Sequence, residues 1–274
     1  MMVEALVYFF VPALVGVLIG IASGLLGIGG GTVMVPIFRL AFGMSATMST
    51  ATSLFAIIPT SISGAISHVK GKTCIPALGI AAGLGGACLS PVGVWLAQLS
   101  PDWLVMLAAA LIIGYSAINM FKKAFKVPRA GQPAAGADAA APTADDSSLS
   151  RKQLLQGAAI GLVAGLASGY VGVGGGFIMV PLMLSIIGIP MRKASGTSLI
   201  AVMILAIPGV IEQGIIGNIN YLAGIAIVIG TIPGAVIGAR LVTKVPERTL
   251  RLLFGCFLIV AAVMLVLNEV GIFG

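Results

Sequence analysis

The sequence predicts an all-α membrane protein, a polytopic helical bundle made of two inverted repeats. Composition is the first observation: of the 274 residues, 59% are apolar and 8% are charged, whereas a soluble domain carries about 25% charged residues. Similar motifs also recur 145 residues apart along the chain. Finally, nearly all lysine and arginine residues can share one side of a bilayer, and this pattern sets the orientation of membrane proteins.

The composition also excludes several classes of protein. So few charged residues could not cover a globular surface, so a soluble enzyme, a nucleic-acid-binding protein and a disulfide-linked scaffold are not expected. The net charge of +7 is attributed to orientation in the membrane, and no nucleic-acid partner is predicted. The three cysteines have no metal-like spacing and are predicted to be small packing residues.

An internal duplication organises the chain. Residues 27–36 read GIGGGTVMVP and residues 172–181 read GVGGGFIMVP, and the same shift of 145 pairs two Thr-Ser-Leu sequences and two proline–acid pairs. So many matches in register indicate a repeat. An alanine- and proline-rich stretch between the copies is predicted to be a flexible linker. The predicted organisation is a first transmembrane repeat, 1–121, a linker, 122–152, and a second repeat, 153–274.

Each repeat contains about five apolar segments. The second segment of each is too short to cross a bilayer by itself, because a full crossing needs about 20 residues. Each short segment directly follows a glycine-rich stretch, which predicts a broken or re-entrant helix and a total of eight to ten segments. The predicted segments are 5–26, 31–42, 51–68, 75–98 and 104–121, then 154–171, 176–188, 197–213, 221–243 and 250–268.

The basic residues predict how the repeats are oriented. If each repeat makes a returning hairpin and three crossings, 14 of the 15 lysine and arginine residues share one side, with Arg39 opposite. An even number of crossings per repeat would divide them almost equally. The positive-inside tendency favours the first arrangement, with the linker cytoplasmic, both termini outside the cytoplasm and the repeats inverted in the cell membrane.

The two glycine-rich stretches are the main candidates for solute binding. Backbone groups freed by a broken helix are tolerated in a membrane only where they meet protein, water or a ligand. The half-helices that follow begin near Thr32 and Phe177, and their first N–H groups carry partial positive charge that suits an anion. Glycines can also simply allow close helix packing, but recurrence ahead of both short segments favours binding. The candidates are Gly27, Gly29, Gly30, Gly31, Gly172, Gly174, Gly175 and Gly176, with Thr32 and Phe177.

Hydroxyl residues that recur with the same spacing are the second set of candidates. One pair directly precedes the glycine stretches, and the other pairs lie at the start of the third segment of each repeat. Hydroxyls at helix starts also cap the backbone, so a structural role stays open beside ligand contact. These candidates are Ser23, Ser168, Thr52, Ser53, Thr197 and Ser198.

Two titratable residues are candidates for proton coupling. His68 is the single histidine and could relay protons, although it lies at a helix end where an interfacial histidine needs no special role. Glu212 lies close to an apolar segment, and carboxylates in membranes are functional candidates by default. No metal-binding cluster, catalytic triad or nucleotide-binding motif is visible, so no enzyme activity, catalytic residue, metal or cofactor is predicted.

At its paired glycine–proline motifs the chain resembles the TauE/SafE family of sulfite exporters. The likeness covers essentially the whole length outside the linker and includes the halved organisation and the Thr-Ser-Leu sequence in both repeats. The resemblance implies a permease for small sulfur-containing anions such as sulfite, organosulfonates or thiosulfate, with export driven by the proton-motive force. It also implies that Pro36 and Pro181 are signature positions, together with the glycines.

The sequence therefore predicts a secondary transporter, expected to be an exporter, that binds a small anion at half-helix N-termini and works by alternating access. A passive anion channel on the same scaffold and a membrane assembly subunit without transport of its own are the open alternatives. The expected partners are the anionic solute and the lipid bilayer. The sequence leaves the oligomeric state open, a homo-oligomer included.

Overall fold

Every regular element in the described part of the molecule is a helix. The structure, a computed structural model, describes residues 2–126 and 150–269. Seven of the described helices are long and apolar enough to cross a membrane, so the predicted all-α membrane fold is confirmed. In chain order the helices are α1 (Met2–Leu26), α2 (Gly31–Phe42), α3 (Ala46–Lys70), α4 (Pro76–Leu99), α5 (Asp102–Lys126), α6 (Arg151–Val171), α7 (Gly176–Leu182, followed by a π-helical turn, Met183–Ile187), α8 (Met191–Ile216), α9 (Tyr221–Leu241) and α10 (Glu247–Glu269).

Both predicted helix breaks are present. Residues 27–30 separate α1 from α2, and residues 172–175 separate α6 from α7. Six glycines in these breaks have φ between 68° and 86°, a left-handed conformation that strains any residue with a Cβ. The helices end there because only glycine continues the chain at that angle. These six are Gly27, Gly29, Gly30, Gly172, Gly174 and Gly175.

Carboxylates at the starts of α5 and α10 accept hydrogen bonds from the first amides of α3 and α8. Asp102 Oδ2 accepts a hydrogen bond from the Ala46 amide at 3.3 Å. Glu247 Oε1 accepts one from the Met191 amide at the same distance, 3.3 Å. Each carboxylate satisfies an amide that a helix N-terminus leaves free. The two contacts are related by the shift of 145, so the duplicated sequence makes the same link twice.

Two helix pairs, α1 with α9 and α6 with α4, pack with their backbones in direct contact at glycine positions. A Cβ at any of these glycines would come within 2.9 Å of the backbone of the other helix, so small residues are required. The contacts advance in the same direction along both members of a pair, so each pair is parallel. They are Gly20 with Thr231, Gly24 with Ala235, Gly161 with Ala82, and Gly165 with Gly86.

The remaining contacts fix the other helix directions. α3 and α8 are antiparallel, because Ile57 lies level with Val202 while Gly64, later in α3, packs on Leu199, earlier in α8. Contacts between α3 and α9, and between α4 and α8, advance together along both helices, so these pairs are parallel. The contacts are Phe55 with Gly224, Thr60 with Thr231, Gly79 with Ile200, and Gly83 with Ile204.

These directions define two three-helix bundles, and each bundle combines helices of both repeats. α1, α3 and α9 run one way, and α4, α6 and α8 run the other way. Corresponding helices of the two repeats, such as α1 and α6, are therefore antiparallel, as inverted repeats require. Because α1 and α3 share a direction, α2 returns the chain toward its starting end, as a re-entrant segment does. The inversion of the repeats relative to a membrane stays a prediction.

The predicted linker, 122–152, lies mostly outside the described residues. Its two ends belong to helices, because α5 continues to Lys126 and α6 begins at Arg151. Ser150 and Gln153 form a capping box at the start of α6, which fixes that boundary. The predicted flexibility falls on residues 127–149, outside the described part of the chain.

We expect Gly161→Ala to destabilise the protein, since its Cβ would overlap the Ala82 carbonyl oxygen of α4. Overpacking of this kind costs about 1–3 kcal/mol. Gly114→Ala is the matched control, because a Cβ there meets no atom within 4 Å and alanine favours a helix over glycine. Thermal unfolding of the purified protein in detergent measures both. Equal melting temperatures for the two variants would contradict the close packing of α4 on α6.

Candidate functional site at the paired glycine breaks

The two glycine breaks meet each other inside the bundle. A Cβ added at Gly31 would lie 2.6 Å from the Val173 carbonyl oxygen, and one at Gly176 would lie 2.9 Å from the Ile28 carbonyl oxygen. The two breaks are fully buried. The duplicated motifs are therefore brought together from opposite halves of the sequence, as expected for a shared central site.

Two equivalent apolar side chains lie at this meeting point. Ile57 of α3 and Val202 of α8 are 145 residues apart and completely buried. A Cβ at Gly29 would contact Val202 Cγ1 at 3.0 Å and Ile57 Cγ2 at 3.3 Å, and one at Gly174 would contact the same two side chains. The antiparallel α3–α8 contact thus covers both breaks with hydrocarbon.

The start of α2 leaves backbone donors unpaired. Val33 and Met34 donate to the Gly30 carbonyl oxygen at 3.2 Å, whereas no described residue accepts a hydrogen bond from the Gly31 or Thr32 amide. Gly30 is the N-cap residue, and it has no side chain that could accept a hydrogen bond from these amides. These amides lie at the positive end of the helix dipole. An oxyanion is the ligand that such an end is suited to bind.

Several buried hydroxyls near the breaks also have no partner. An unpaired buried hydroxyl is costly, and most buried polar groups in proteins are paired. Four of the predicted site residues belong to this set, namely Ser23, Thr32, Ser53 and Ser168. Sequence reasoning missed Ser61, which is also buried and unpartnered among the described residues. The sequence gives one indication of its position: Ser61 follows Ile57 by about one helical turn, so the two side chains lie on the same face of α3.

Comparison with known proteins identifies the family. Residues 12–265 match the family described as Sulfite exporter TauE/SafE. The chain belongs to this family. Its relatives include the probable membrane transporter proteins YunE of Bacillus subtilis (strain 168), 27% identical over 97% of this chain and 99% of the relative, and YdhB of the same strain, 28% identical over 87% and 92%. No solved structure was found to match.

A probable membrane transporter protein of Haemophilus influenzae (strain ATCC 51907 / DSM 11121 / KW20 / Rd) is 29% identical over 93% of this chain and 97% of its own length. TauE/SafE proteins are membrane transporters, so the chain is a multi-pass membrane transporter and not an enzyme. The described residues contain no group of three or more histidine, cysteine, aspartate or glutamate side chains that could hold a metal ion.

The other predicted hydroxyls of this TauE/SafE protein have partners in the structure. Thr52 Oγ1 accepts a hydrogen bond from the Asn220 amide at 3.0 Å, and Thr197 Oγ1 accepts one from the Ile75 amide at 2.9 Å. These equivalent contacts hold the starts of α9 and α4. Ser198 Oγ lies 2.7 Å from the Gly27 carbonyl oxygen, which it can satisfy as a donor. The three hydroxyls support the breaks and loops in this packing.

His68 is in the last turn of α3, at a helix end as predicted. It is 0% exposed, and its Nε2 lies 2.8 Å from the Gly24 carbonyl oxygen. Its Nδ1 lies 2.7 Å from Thr73 Oγ1. Because a carbonyl only accepts, Nε2 donates, and a neutral imidazole satisfies both contacts. The sequence could not reveal this burial, because the carbonyl partner comes from α1, 44 residues away.

The second repeat replaces this contact with an amide pair. Gln213, at the position equivalent to His68, accepts a hydrogen bond from Asn218 Nδ2 through Oε1 at 2.8 Å. Asn218 in turn is equivalent to Thr73. Glu212, the other titratable candidate, is partly exposed, and its Oε2 is buried without a partner among the described residues.

We expect His68→Gln to be tolerated better than His68→Ala. Glutamine occupies the equivalent place in the second repeat and can still donate to the Gly24 carbonyl oxygen. Alanine leaves that buried carbonyl unpaired, which costs about 1–3 kcal/mol, whereas the Thr73 hydroxyl keeps the backbone oxygen of residue 68 as an acceptor at 3.3 Å. Melting temperatures in detergent compare the two variants. If both melt at the same temperature as the unmodified protein, His68 does not hold α3 against α1.

Proposed function

We propose that this protein is a secondary transporter, acting as an exporter, for small sulfur-containing anions such as sulfite, organosulfonates or thiosulfate. The observation that carries the proposal is the meeting of two glycine breaks beside unpartnered hydroxyls, where the amides of Gly31, Thr32 and Phe177 have no acceptor among the described residues. The family description as a sulfite exporter supports the class of substrate. Backbone amides and hydroxyls supply charge-assisted hydrogen bonds to an oxyanion without a cationic side chain.

Alternating access would occur between the two mixed bundles. The packing favours motion of α1, α3 and α9 against α4, α6 and α8. Backbone contacts at glycines join α1 to α9 and join α4 to both α6 and α8, and the Thr60–Thr231 hydrogen bond joins α3 to α9. Ile57 and Val202 lie on the contact between the groups. Separation there would open the glycine breaks to an anion, and its reversal would expose the other side.

The proposed orientation places the linker in the cytoplasm and both termini outside it, in the cell membrane. The basic ends of α3, α5 and α9 and the basic starts of α6 and α8 then face the cytoplasm. This satisfies the positive-inside tendency. The helix directions described above are compatible with it, because the returning α2 and α7 give each repeat one hairpin and three crossings.

Sulfite flux into proteoliposomes tests the proposal. We expect saturable flux of labelled sulfite, and its loss when Gly30 and Gly175 are both replaced by leucine, because these positions have φ of 85° and 68° and a Cβ there is strained. Gly114→Leu is the control, since that position is open. Flux that survives in the Gly30/Gly175 variant would count against the site. Non-saturable flux would indicate a channel, and absence of flux with a co-purifying partner would indicate an assembly subunit.

A pH gradient separates the two candidates for proton coupling. We expect Glu212→Gln to weaken the dependence of sulfite flux on the gradient, because Glu212 has an oxygen free to take up a proton. His68→Gln should leave that dependence unchanged, since both nitrogens of His68 are engaged in structural contacts. Flux measured with and without an imposed gradient gives the comparison. The opposite pattern in the two variants would assign the proton to His68.

A further inference from the structure

A groove separate from the glycine breaks runs along α5. It has a volume of about 810 Å³ and is bounded by α4, α5, α6, α7 and the π-helical turn after α7. Most of its wall is apolar, with Leu96 from α4, Ile112 from α5, Val163 and Leu166 from α6, and Leu182 from α7. We call it the α5 groove. Ligand pockets in proteins have volumes of about 300–1,000 Å³, so the groove is large enough to hold a ligand.

The α5 groove is open at the outer surface of the bundle. Tyr115 of α5 and Val163 of α6, which both line it, are 69% and 56% exposed. Along α5 the groove extends from Ala108 to Lys123, which is about 22 Å at a rise of about 1.5 Å per residue. One leaflet contributes about 15 Å to the hydrocarbon core of a bilayer. A whole acyl chain can therefore lie in the groove and can enter it from the membrane.

Polar side chains line one end of the α5 groove. Ser116, Asn119 and Lys123 follow one another at spacings of three and four residues, so they share one face of α5. Ser185 of the π-helical turn also lines the groove and contacts Lys123. The groove is therefore amphipathic along its length, since α5 lines it first with apolar and then with polar side chains.

Lys123 brings to this end a positive charge that no described carboxylate neutralises. Its ammonium group donates to the Pro181 carbonyl oxygen at 2.8 Å and to the Ser185 hydroxyl, and both acceptors are neutral. An ammonium group has three donors, so one N–H is left for a further acceptor. Lys123 is partly buried, and a buried charge without an opposite charge is costly. This end of the groove therefore favours an anion.

The nearest ion pair does not supply the missing negative charge. Arg251 of α10 donates to the Lys123 carbonyl oxygen at 3.4 Å, and its guanidinium group forms an ion pair with Glu247. Glu247 thus balances the charge of Arg251 and not that of Lys123. The cation of the α5 groove keeps its full charge for a ligand.

The duplicated fold does not by itself require this polar end. The shift of 145 places alanine, methionine and asparagine on α10 at the positions of the three polar residues of α5, and leucine on α2 at the position of Ser185. The second repeat thus lacks the cation and both hydroxyls. These counterparts are Ala261, Met264, Asn268 and Leu40. The polar end is a property of the α5 groove alone and points to a ligand that binds there.

We propose that the α5 groove binds one molecule of an anionic phospholipid, with an acyl chain along α5 and the headgroup phosphate at Lys123. An apolar groove with a cation at one end matches the chemistry of such a lipid, and basic pockets between transmembrane helices are suited to anionic headgroups. A hydrogen bond between an ammonium group and a phosphate is strengthened by both charges. In the proposed orientation, the headgroup lies on the cytoplasmic side. Binding of this lipid requires no assumption about the transported solute.

Native mass spectrometry of the purified full chain in detergent tests this binding. The probes are phosphatidylglycerol, which is anionic, and phosphatidylcholine with the same acyl chains, which has no net charge. We expect the Kd for the first bound phosphatidylglycerol to be about tenfold lower than that for phosphatidylcholine, because only the anionic lipid neutralises Lys123. Equal affinities for the two lipids would overturn the proposal.

Lys123→Gln and Lys122→Gln are matched variants that each remove one positive charge. Lys122 is exposed and does not line the groove, whereas glutamine at position 123 can still donate to the Pro181 carbonyl oxygen. We expect Lys123→Gln to weaken the binding of phosphatidylglycerol about tenfold, since a hydrogen bond to a charged group is lost. Lys122→Gln should leave the Kd unchanged. An equal loss in both variants would show diffuse attraction to a basic surface and overturn the site.

The apolar part of the groove is tested without changing any charge. Ala108 lines the groove, and Leu111 on the same helix is 65% exposed and does not line it. We expect Ala108→Trp to abolish the first binding event of both lipids, because the indole fills the space of the acyl chain, and Leu111→Trp to preserve it. Unchanged binding in Ala108→Trp would overturn the proposal.

A soluble headgroup distinguishes a lipid site from a phosphate site. We expect sn-glycerol 3-phosphate, added in large excess, to leave phosphatidylglycerol bound, because it has no acyl chain to place in the groove. Displacement of the lipid would show that the groove takes a soluble phosphate and would overturn the assignment to a phospholipid. Thermal unfolding in the same detergent, without added lipid, verifies that each variant is folded.

Discussion

The structure depends on how unpaired backbone groups are accommodated inside an apolar protein. Two helices stop near the centre of the bundle, at glycines whose positive φ other residues adopt only with strain. In hydrocarbon, each freed amide costs several kcal/mol unless something accepts from it. Here the breaks are buried against each other, and some of their donors have no partner among the described residues. The proposed anionic solute would supply the acceptors that these donors lack.

Close packing of small residues is the second requirement. α1 lies on α9 and α6 lies on α4 at glycine positions where a Cβ would meet backbone. In a membrane, where apolar side chains gain little from leaving lipid, close contact between backbones is a main source of helix association. The result is that helices of one repeat are joined to helices of the other. The proposed alternating access would then move one mixed bundle against the other, and the contact between the bundles passes through Ile57 and Val202, beside both breaks.

Most of the fold could be predicted from the sequence. The predicted segment 31–42 coincides with α2 (Gly31–Phe42), and the proline–acid pairs mark the starts of α5 and α10. Periodic apolar segments and glycine breaks are local signals, so they can be read without knowing the partners. The residues of the candidate site were harder to predict from the sequence. Thr52 and Thr197 have the spacing of ligand residues, yet their hydroxyls accept from the amides of Asn220 and Ile75. Ser61 looks like an ordinary helix serine, and only its missing hydrogen bond distinguishes it.

The sequence by itself determined the helical membrane fold, the duplication and the position of both breaks, because composition, repeat spacing and glycine content act along the chain. Tertiary structure decided which helices share a bundle, that His68 is buried against Gly24, and that Thr52 and Thr197 accept from the amides of Asn220 and Ile75. Those properties depend on contacts between residues that are far apart in sequence. Equivalent motifs therefore had equivalent backbone conformations, while their surroundings, and with them the expected chemistry, were set by the neighbouring helices.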